Sequence, residues 1–187
     1  LLKDADRKVY EHIERRGRII IEQSRRMEVI AKGLMDFSRA ELIAERVDLN
    51  SLVRRSIEFV RTQNRFDGVE WDLRLAEQAP ALRGDPGQLQ QVLLNLFMNA
   101  ADAMKDRPSV RKVIGVTSST DDRGRLVRLV VTDTGAGIAA SNLTRVFEPY
   151  FTTKPEGHGF GLSTSYRIIT NHGGRITAES PPGRGAC

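Results

Sequence analysis

Asn95, Asn99 and Asp102 carry the hard oxygen donors that suit Mg²⁺ and its waters, and their spacing sets them on one side of a helix. With Gln88 and Gln91 they fall within a stripe roughly 80° wide at 100° per residue. Apart from Gln90, everything else from Gln88 to Met104 is Leu, Val, Phe, Met or Ala, so the helix is apolar nearly all round and reads as a core helix. A carboxamide and carboxylate stripe on such a helix needs partners, because each buried polar group left unpaired costs about 1–3 kcal/mol. Taken alone, the stripe reads equally well as a solvent-facing side. Asp85 and Pro86 open the helix as N-cap and first-turn proline.

Three later stretches have ligand-binding character. Asp133-Thr134-Gly135-Ala136-Gly137 places an acid at the end of a strand, with two glycines that let backbone approach a flat ligand closely. A fixed carboxylate there can accept from an exocyclic amine such as that of adenine, although alone the stretch is more often a simple turn. Phe147 to Lys154 is an irregular run with apolar aromatics, the composition of a loop that folds down on something. Lys154 is its phosphate-seeking point charge. Gly157-His158-Gly159-Phe160-Gly161 precedes a helix at Leu162, where backbone N–H groups and the helix dipole make an anion cradle. Its spacing is neither that of a dinucleotide fingerprint nor that of a P-loop.

The elements that position these groups follow from periodicity. Ile13, Ile20, Met27 and Leu34 recur every seven residues, with Val9, Ile30 and Phe37 on a companion seam broken by Arg16 and Gln23. Residues 5–46 thus read as one helix about 60 Å long, which expects a helical partner. Asn50 caps an amphipathic helix carrying Leu52, Val53, Ile57 and Val60 to about Gln63. Val69 to Leu75 alternates as a half-buried strand. Val113 to Thr120 and Leu126 to Asp133 form a hairpin around Asp121-Asp122-Arg123-Gly124. Ser141 to Val146 is a brief helix, Ser163 to His172 a helix stopped by Gly173-Gly174, and Arg175 to Ser180 a further strand. A lone helical segment followed by interleaved helices and strands means two domains joined near residue 46.

Bulk composition narrows the function classes. At 40% hydrophobic and 28% charged residues the chain is globular, and no apolar run reaches membrane-spanning length. The single cysteine, Cys187, cannot make an internal disulfide, which fits a reducing, cytoplasmic compartment. The net charge of +5 is spread along the chain without stacking aromatics in a basic block, so nucleic acid is not an expected partner.

In this order the motifs resemble the catalytic and ATP-binding domain of sensor histidine kinases, in the GHKL ATPase superfamily. Gln91 to Met104 is similar to the N box, Asp133 to Gly137 to the first glycine box, Phe147 to Lys154 to the F box, and Gly157 to Leu162 to the second glycine box. Leu34-Met35-Asp36-Phe37-Ser38-Arg39 resembles the end of the second helix of the dimerisation and phosphotransfer hairpin. The resemblance implies an α+β chain: a long dimerisation helix over 1–46, incomplete as a hairpin, then an α/β sandwich over 47–187 with a mixed sheet under three helices and a lid over ATP. It implies Mg²⁺ on Asn99, with Asn95 and Asp102 beside it near the phosphates. Asp133 would take the adenine amine in a pocket shaped by Gly135 and Gly137. Lys154, Gly157, His158, Gly159, Gly161 and Leu162 would lie about the triphosphate, and Thr177 on the adenine side. It further implies a homodimer through the long helix in the intact protein and a response-regulator receiver domain as partner. With no apolar run of spanning length, no direct membrane contact is expected from this segment, any anchor of the intact protein lying outside it.

Two departures stand out. His158 and Phe160 occupy positions where the family often has Thr and Leu. None of His12, His158 and His172 is followed by an acid and then a proline, the setting of the family's phosphoacceptor, so the acceptor is expected upstream of Leu1. The rival readings are a nucleotide-binding regulatory module without kinase activity, and another GHKL ATPase such as a mismatch-repair or topoisomerase ATPase.

Overall fold

A computed structural model describes residues 16–17, 44–77, 81–105, 107, 111–121, 126–154, 157–181 and 185–187. The chain divides into two compact units, residues 1–41 and 42–187. In the first, Arg16 and Gly17 are helical; the heptad seam from Ile13 to Leu34, His12 and the stretch Leu34 to Arg39 lie outside the described residues.

The second unit starts with β1 (Glu45–Val47), which pairs antiparallel with β3 (Leu82–Gly84). Glu45 and Arg46, expected at the end of a long helix, are instead strand, paired in register with Gly84 and Arg83. β3 itself carries too short an alternation to be legible in the sequence. Helix α1 (Leu49–Arg61) follows. Its cap is Asp48 rather than Asn50: Asp48 Oδ1 accepts from the N–H groups of Asn50 and Ser51 at 3.0 and 3.3 Å. Asn50 reaches across instead, donating to the Ala76 carbonyl at 2.7 Å and accepting from Ser118 Oγ at 2.9 Å. A buried serine on the sheet thus ties down the start of α1.

The main sheet has the order β2-β4-β5, from β2 (Glu70–Arg74), β4 (Val113–Thr120) and β5 (Val127–Asp133). β2 and β4 run parallel, and β4 and β5 form the antiparallel hairpin, so the sheet is mixed. Alternation puts Ile114, Val116 and Ser118 on the buried face, with Val127, Leu129 and Val131 of β5 opposite in register. Asp133 is the next member of that β5 row, paired with Ile114. The period of two therefore delivers a carboxylate to the helix-covered face at the open end of the strand.

Over the sheet lies α2 (Pro86–Met104), flanked by α1 and α4 (Gly161–Asn171). Asp85 caps α2 through Gln88 N–H at 3.0 Å, with Pro86 in the first turn, as its sequence specifies. Leu93, Phe97 and Met104 of α2 meet Val53, Ile57 and Val60 of α1 and Ile114 and Val116 of the sheet in one core. Trp71 of β2 meets Phe97 edge-on at a 5.0 Å centroid distance. The short α3 (Ala140–Leu143) ends earlier than the expected Val146, the chain continuing in turns. The stretch expected as a strand at Arg175 to Ser180 forms no ladder; within it Glu179 exchanges reciprocal backbone bonds with Cys187, at 2.9 and 2.7 Å. Among the described residues no helix is long and apolar enough to cross a membrane.

Candidate functional site

Helix α2 works as a ruler. Asn95, Asn99 and Ala103 are successive i, i+4 positions on one of its faces, each about 6 Å further along the axis. Each meets a different piece of the later chain.

At Ala103 the loop after β5 docks. Ala136 N–H donates to the Ala103 carbonyl at 3.0 Å. A Cβ on Gly135 would stand 2.6 Å from that of Ala103, so only glycine permits the approach. Gly137 has φ +75°, and a Cβ there would meet Ser180 Oγ. Ser180 Oγ accepts from Ile138 N–H at 2.8 Å and donates to the Gly185 carbonyl at 2.7 Å, joining the loop to the end of the chain. Asp133 Oδ1 accepts from Gly135 N–H at 2.7 Å and from Ala186 N–H at 3.4 Å. Burial nevertheless pushes its carboxyl above the usual range, because desolvation outweighs these two donors.

At Asn99 the irregular loop comes down. Lys154 Nζ donates to Asn99 Oδ1 at 3.1 Å and to Asp102 Oδ2 at 2.7 Å. The other Asp102 oxygen is 3.2 Å from Arg65 Nη1, from the single-turn 3₁₀ segment Asn64–Phe66 after α1. A carboxamide and a carboxylate oxygen thus converge on one cation. Around it the loop is built from aromatic contacts. Tyr150 and Phe160 meet edge-on at 4.9 Å, and the Arg145 guanidinium lies 4.6 Å over the Phe151 ring. Tyr150 holds φ +67°, a left-handed conformation costing about 1–2 kcal/mol for a residue with Cβ. Its N–H donates to the Gly159 carbonyl at 3.1 Å, and a Cβ on Gly159 would strike the Tyr150 backbone.

At Asn95 the third piece arrives. Asn95 Nδ2 donates to the Gly161 carbonyl at 3.0 Å and reaches the buried Ser165 Oγ at 3.3 Å. Asn95 therefore positions the start of α4 rather than presenting its amide to open space. Phe160 stands at the N-cap of α4 without a side-chain acceptor, so the first-turn N–H groups receive no side-chain cap.

Of the residues singled out in the sequence, Asn95, Asn99, Asp102, Lys154 and Gly161 meet along α2, Gly159 packs against the Tyr150 backbone, and Asp133, Gly135 and Gly137 make the far corner. Gly157 closes a turn onto the Lys154 carbonyl at 3.0 Å. Leu162 is half-buried in the first turn of α4, His158 is exposed on the loop, and Thr177 is exposed on the extended segment after α4. Sequence reasoning missed Arg65, Arg107, Ser165 and Ser180, which sit between the motifs or fill them without a spacing signature. His172 is engaged at both ring nitrogens: Nε2 accepts from Asp85 N–H at 3.0 Å and Nδ1 lies 2.7 Å from the Ile168 carbonyl.

A mixed sheet under helices, with a desolvated acid at one corner and an uncapped helix start at the other, is the build of a nucleotide-binding α/β domain. Comparison with known proteins identifies which one. Residues 84–187 match the model of the histidine kinase-, DNA gyrase B- and HSP90-like ATPase family, and the chain belongs to that family. The sensor histidine kinase ZraS of Escherichia coli is 35% identical over 171 residues, 91% of this chain and 36% of the relative. Full-length ShkA in complex with AMPPNP superposes with a TM-score of 0.72 at 29% identity, covering 86% of this chain and 34% of ShkA. The histidine kinase ThkA, in complex with the response regulator protein TrrA, gives a TM-score of 0.68 at 26% identity over 90% of this chain and 47% of ThkA. The chain therefore spans about a third of the length of the curated relative, and within it carries the ATPase domain of sensor histidine kinases.

Proposed function

We propose that this chain is the ATP-binding kinase portion of a sensor histidine kinase that transfers the γ-phosphoryl group of ATP to a histidine outside the ATP domain. What carries the reading is the ruler: one helix face sets a base corner at Ala103, a cation position at Asn99 and an anion cradle at Asn95 in line. Asp133 accepts from the adenine amine, and Gly135 and Gly137 let the purine approach the backbone. Lys154 and the first-turn N–H groups of α4 face the phosphates, with Gly157, His158, Gly159 and Leu162 forming the rest of that wall and Thr177 the outer adenine side.

The residues suit Mg²⁺. Lys154 already stands as a cation between Asn99 Oδ1 and Asp102 Oδ2. Among the described residues no three His, Cys, Asp or Glu side chains are grouped so as to hold a metal by themselves, here or elsewhere. A sparse protein donor set is what Mg²⁺ prefers, since it keeps waters and takes its remaining oxygens from phosphates. Asn99 would hold it, and it would neutralise charge on the phosphoryl oxygens. In the transfer the bond from γ-phosphorus to the bridging oxygen breaks, a bond to an imidazole nitrogen forms, the imidazole N–H proton is released, and ADP leaves. Such a step asks the protein for positioning and charge rather than covalent chemistry.

In the intact protein, residues 1–41 would supply the second helix of a dimerisation hairpin, and the phosphoryl group would pass to an aspartate of a response regulator, as the ThkA–TrrA pairing suggests. The test is calorimetric titration of ATP with and without Mg²⁺. Asp133→Ala should weaken ATP sharply, and Asn99→Ala should abolish the Mg²⁺ dependence. Absence of ATP binding by the unaltered chain sinks the reading.

A further inference from the structure

Arg107 lies just past the end of α2, in a stretch that no motif covers. Its Nη1 donates to the Gly135 carbonyl at 2.6 Å and lies 3.5 Å from the Thr134 carbonyl. The peptide joining Gly135 to Ala136 is therefore held at both ends, its N–H by the Ala103 carbonyl and its C=O by Arg107. That double hold matters because Gly135 has no side chain to fix the loop and the conformational freedom to let it turn. The preceding peptide, between Thr134 and Gly135, supplies the 2.7 Å N–H bond that occupies Asp133 Oδ1. Thr134 is anchored separately, its Oγ1 donating to the Arg111 carbonyl at 2.7 Å and accepting from Val113 N–H at 3.0 Å. Between that anchor and Ala103, the side chain bracing the loop is Arg107, and its charge-assisted bond is roughly twice as strong as a neutral one.

With Oδ1 taken, Asp133 Oδ2 accepts no hydrogen bond among the described residues, so the orientation of the Gly135 peptide decides where that oxygen points. A purine bearing an exocyclic amine there gains a donor for Oδ2. A purine bearing a carbonyl at the same place brings an acceptor against an acceptor.

We propose that Arg107 is a specificity-determining positioning residue: by bracing the Gly135 carbonyl it aims Asp133 and so sets the preference for adenine over guanine nucleotides. The inference rests on the base-binding reading of the Asp133 corner. It acts through the peptide, since the ionisation of Asp133 is governed by its burial and its backbone donors, not by a neighbouring cation.

The experiment titrates the whole chain with ATP and with GTP, for the unaltered protein, Arg107→Met, Arg107→Lys and Asp133→Ala, beside the thermal unfolding midpoint of each. Arg107→Met should cut ATP affinity about tenfold, equivalent to about 1.4 kcal/mol, leave GTP affinity unchanged and so collapse the ratio between them. Arg107→Lys, which keeps a donor and a charge, should restore most of that ratio. Equal weakening of both nucleotides, or an unchanged ratio, in Arg107→Met overturns the proposal and leaves Arg107 a structural brace. If Arg107→Met does not fold, Arg107→Gln, which lacks the charge, takes its place: a ratio well below that of Arg107→Lys supports the aiming role, and one equal to the unaltered protein overturns it. If Asp133→Ala binds ATP as tightly as the unaltered protein, the base reading itself fails and the proposal falls with it. Asp133→Ala weakening ATP while Arg107→Met does not is the failure of this inference alone.

Discussion

Asp133 binds two backbone N–H groups and still has its carboxyl raised above the ordinary 3.8, because burial removes more solvation than those donors return. The sign of the consequence follows from linkage. A folded-state pKa above the unfolded one means that this group's contribution is present below about pH 3.8 and lost as pH rises through the folded value. Above that value the native state therefore carries a partly buried charge at a cost. Asp133→Asn keeps an oxygen for Gly135 N–H and removes that charge, so its unfolding midpoint at pH 7 should exceed that of the unaltered protein. The gain should vanish as the pH is brought below 4. ATP affinity should move the opposite way at pH 7, since a neutral carboxamide accepts from the amine more weakly than a carboxylate. A variant that loses both stability and binding would contradict the assignment. On the proposed assignment, binding and stability should pull against each other at this one side chain.

Helix α4 is short, and its placement depends on its two ends. At its start Asn95 holds the Gly161 carbonyl, with Ser165 completing the contact. At its end His172 joins Ile168 to the Asp85 N–H, immediately ahead of α2. Gly84 is required by the same staple, since a Cβ there would lie 2.7 Å from the imidazole. The helix that opens on the proposed phosphate cradle is thereby pinned to both ends of the ruler's first half. His172→Ala leaves the half-buried Asp85 N–H without its acceptor and should cost about 1–3 kcal/mol, measured by chemical denaturation. Nucleotide affinity should fall far less than in Asp133→Ala, because the Asn95 end is untouched. Loss of binding with unchanged stability would assign His172 to the site itself.

The unit over residues 42–187 has a single core, and among the described residues no buried side-chain nitrogen or oxygen lacks a hydrogen-bond partner. A ligand that binds such a unit only when folded must stabilise it by mass action. ATP with Mg²⁺ at a hundred times its dissociation constant should add about 2.7 kcal/mol. For a unit of this size that is a rise in unfolding midpoint of roughly 5–15 °C. In Asn99→Ala the rise with Mg²⁺ should shrink to that seen with ATP alone. The same rise with and without the metal in the unaltered chain would remove Asn99 from metal binding.

Most of this architecture could be read from local chemistry. The apolar surround and capped start of α2 follow from composition and from Asp85-Pro86, and the hairpin of β4 and β5 from alternation around a turn. Asp133, Asn99 and Lys154 were visible because each sits in a patterned stretch, where neighbouring residue types constrain one another. β3 and the cap at Asp48 were not: a three-residue strand has no period, and Asp48 and Asn50 are equally good capping types until the reach of Asn50 to Ala76 and Ser118 decides between them. The sequence by itself determined most of the elements, the family and the residue types of the candidate site, since these depend on contacts between near neighbours. Only the tertiary structure decided that Asn95 holds α4, that Arg65 and Lys154 share Asp102, and that Arg107 braces Gly135. Those contacts join residues 28 to 70 positions apart, and no local pattern encodes which polar atoms will meet once α2 is laid across the sheet.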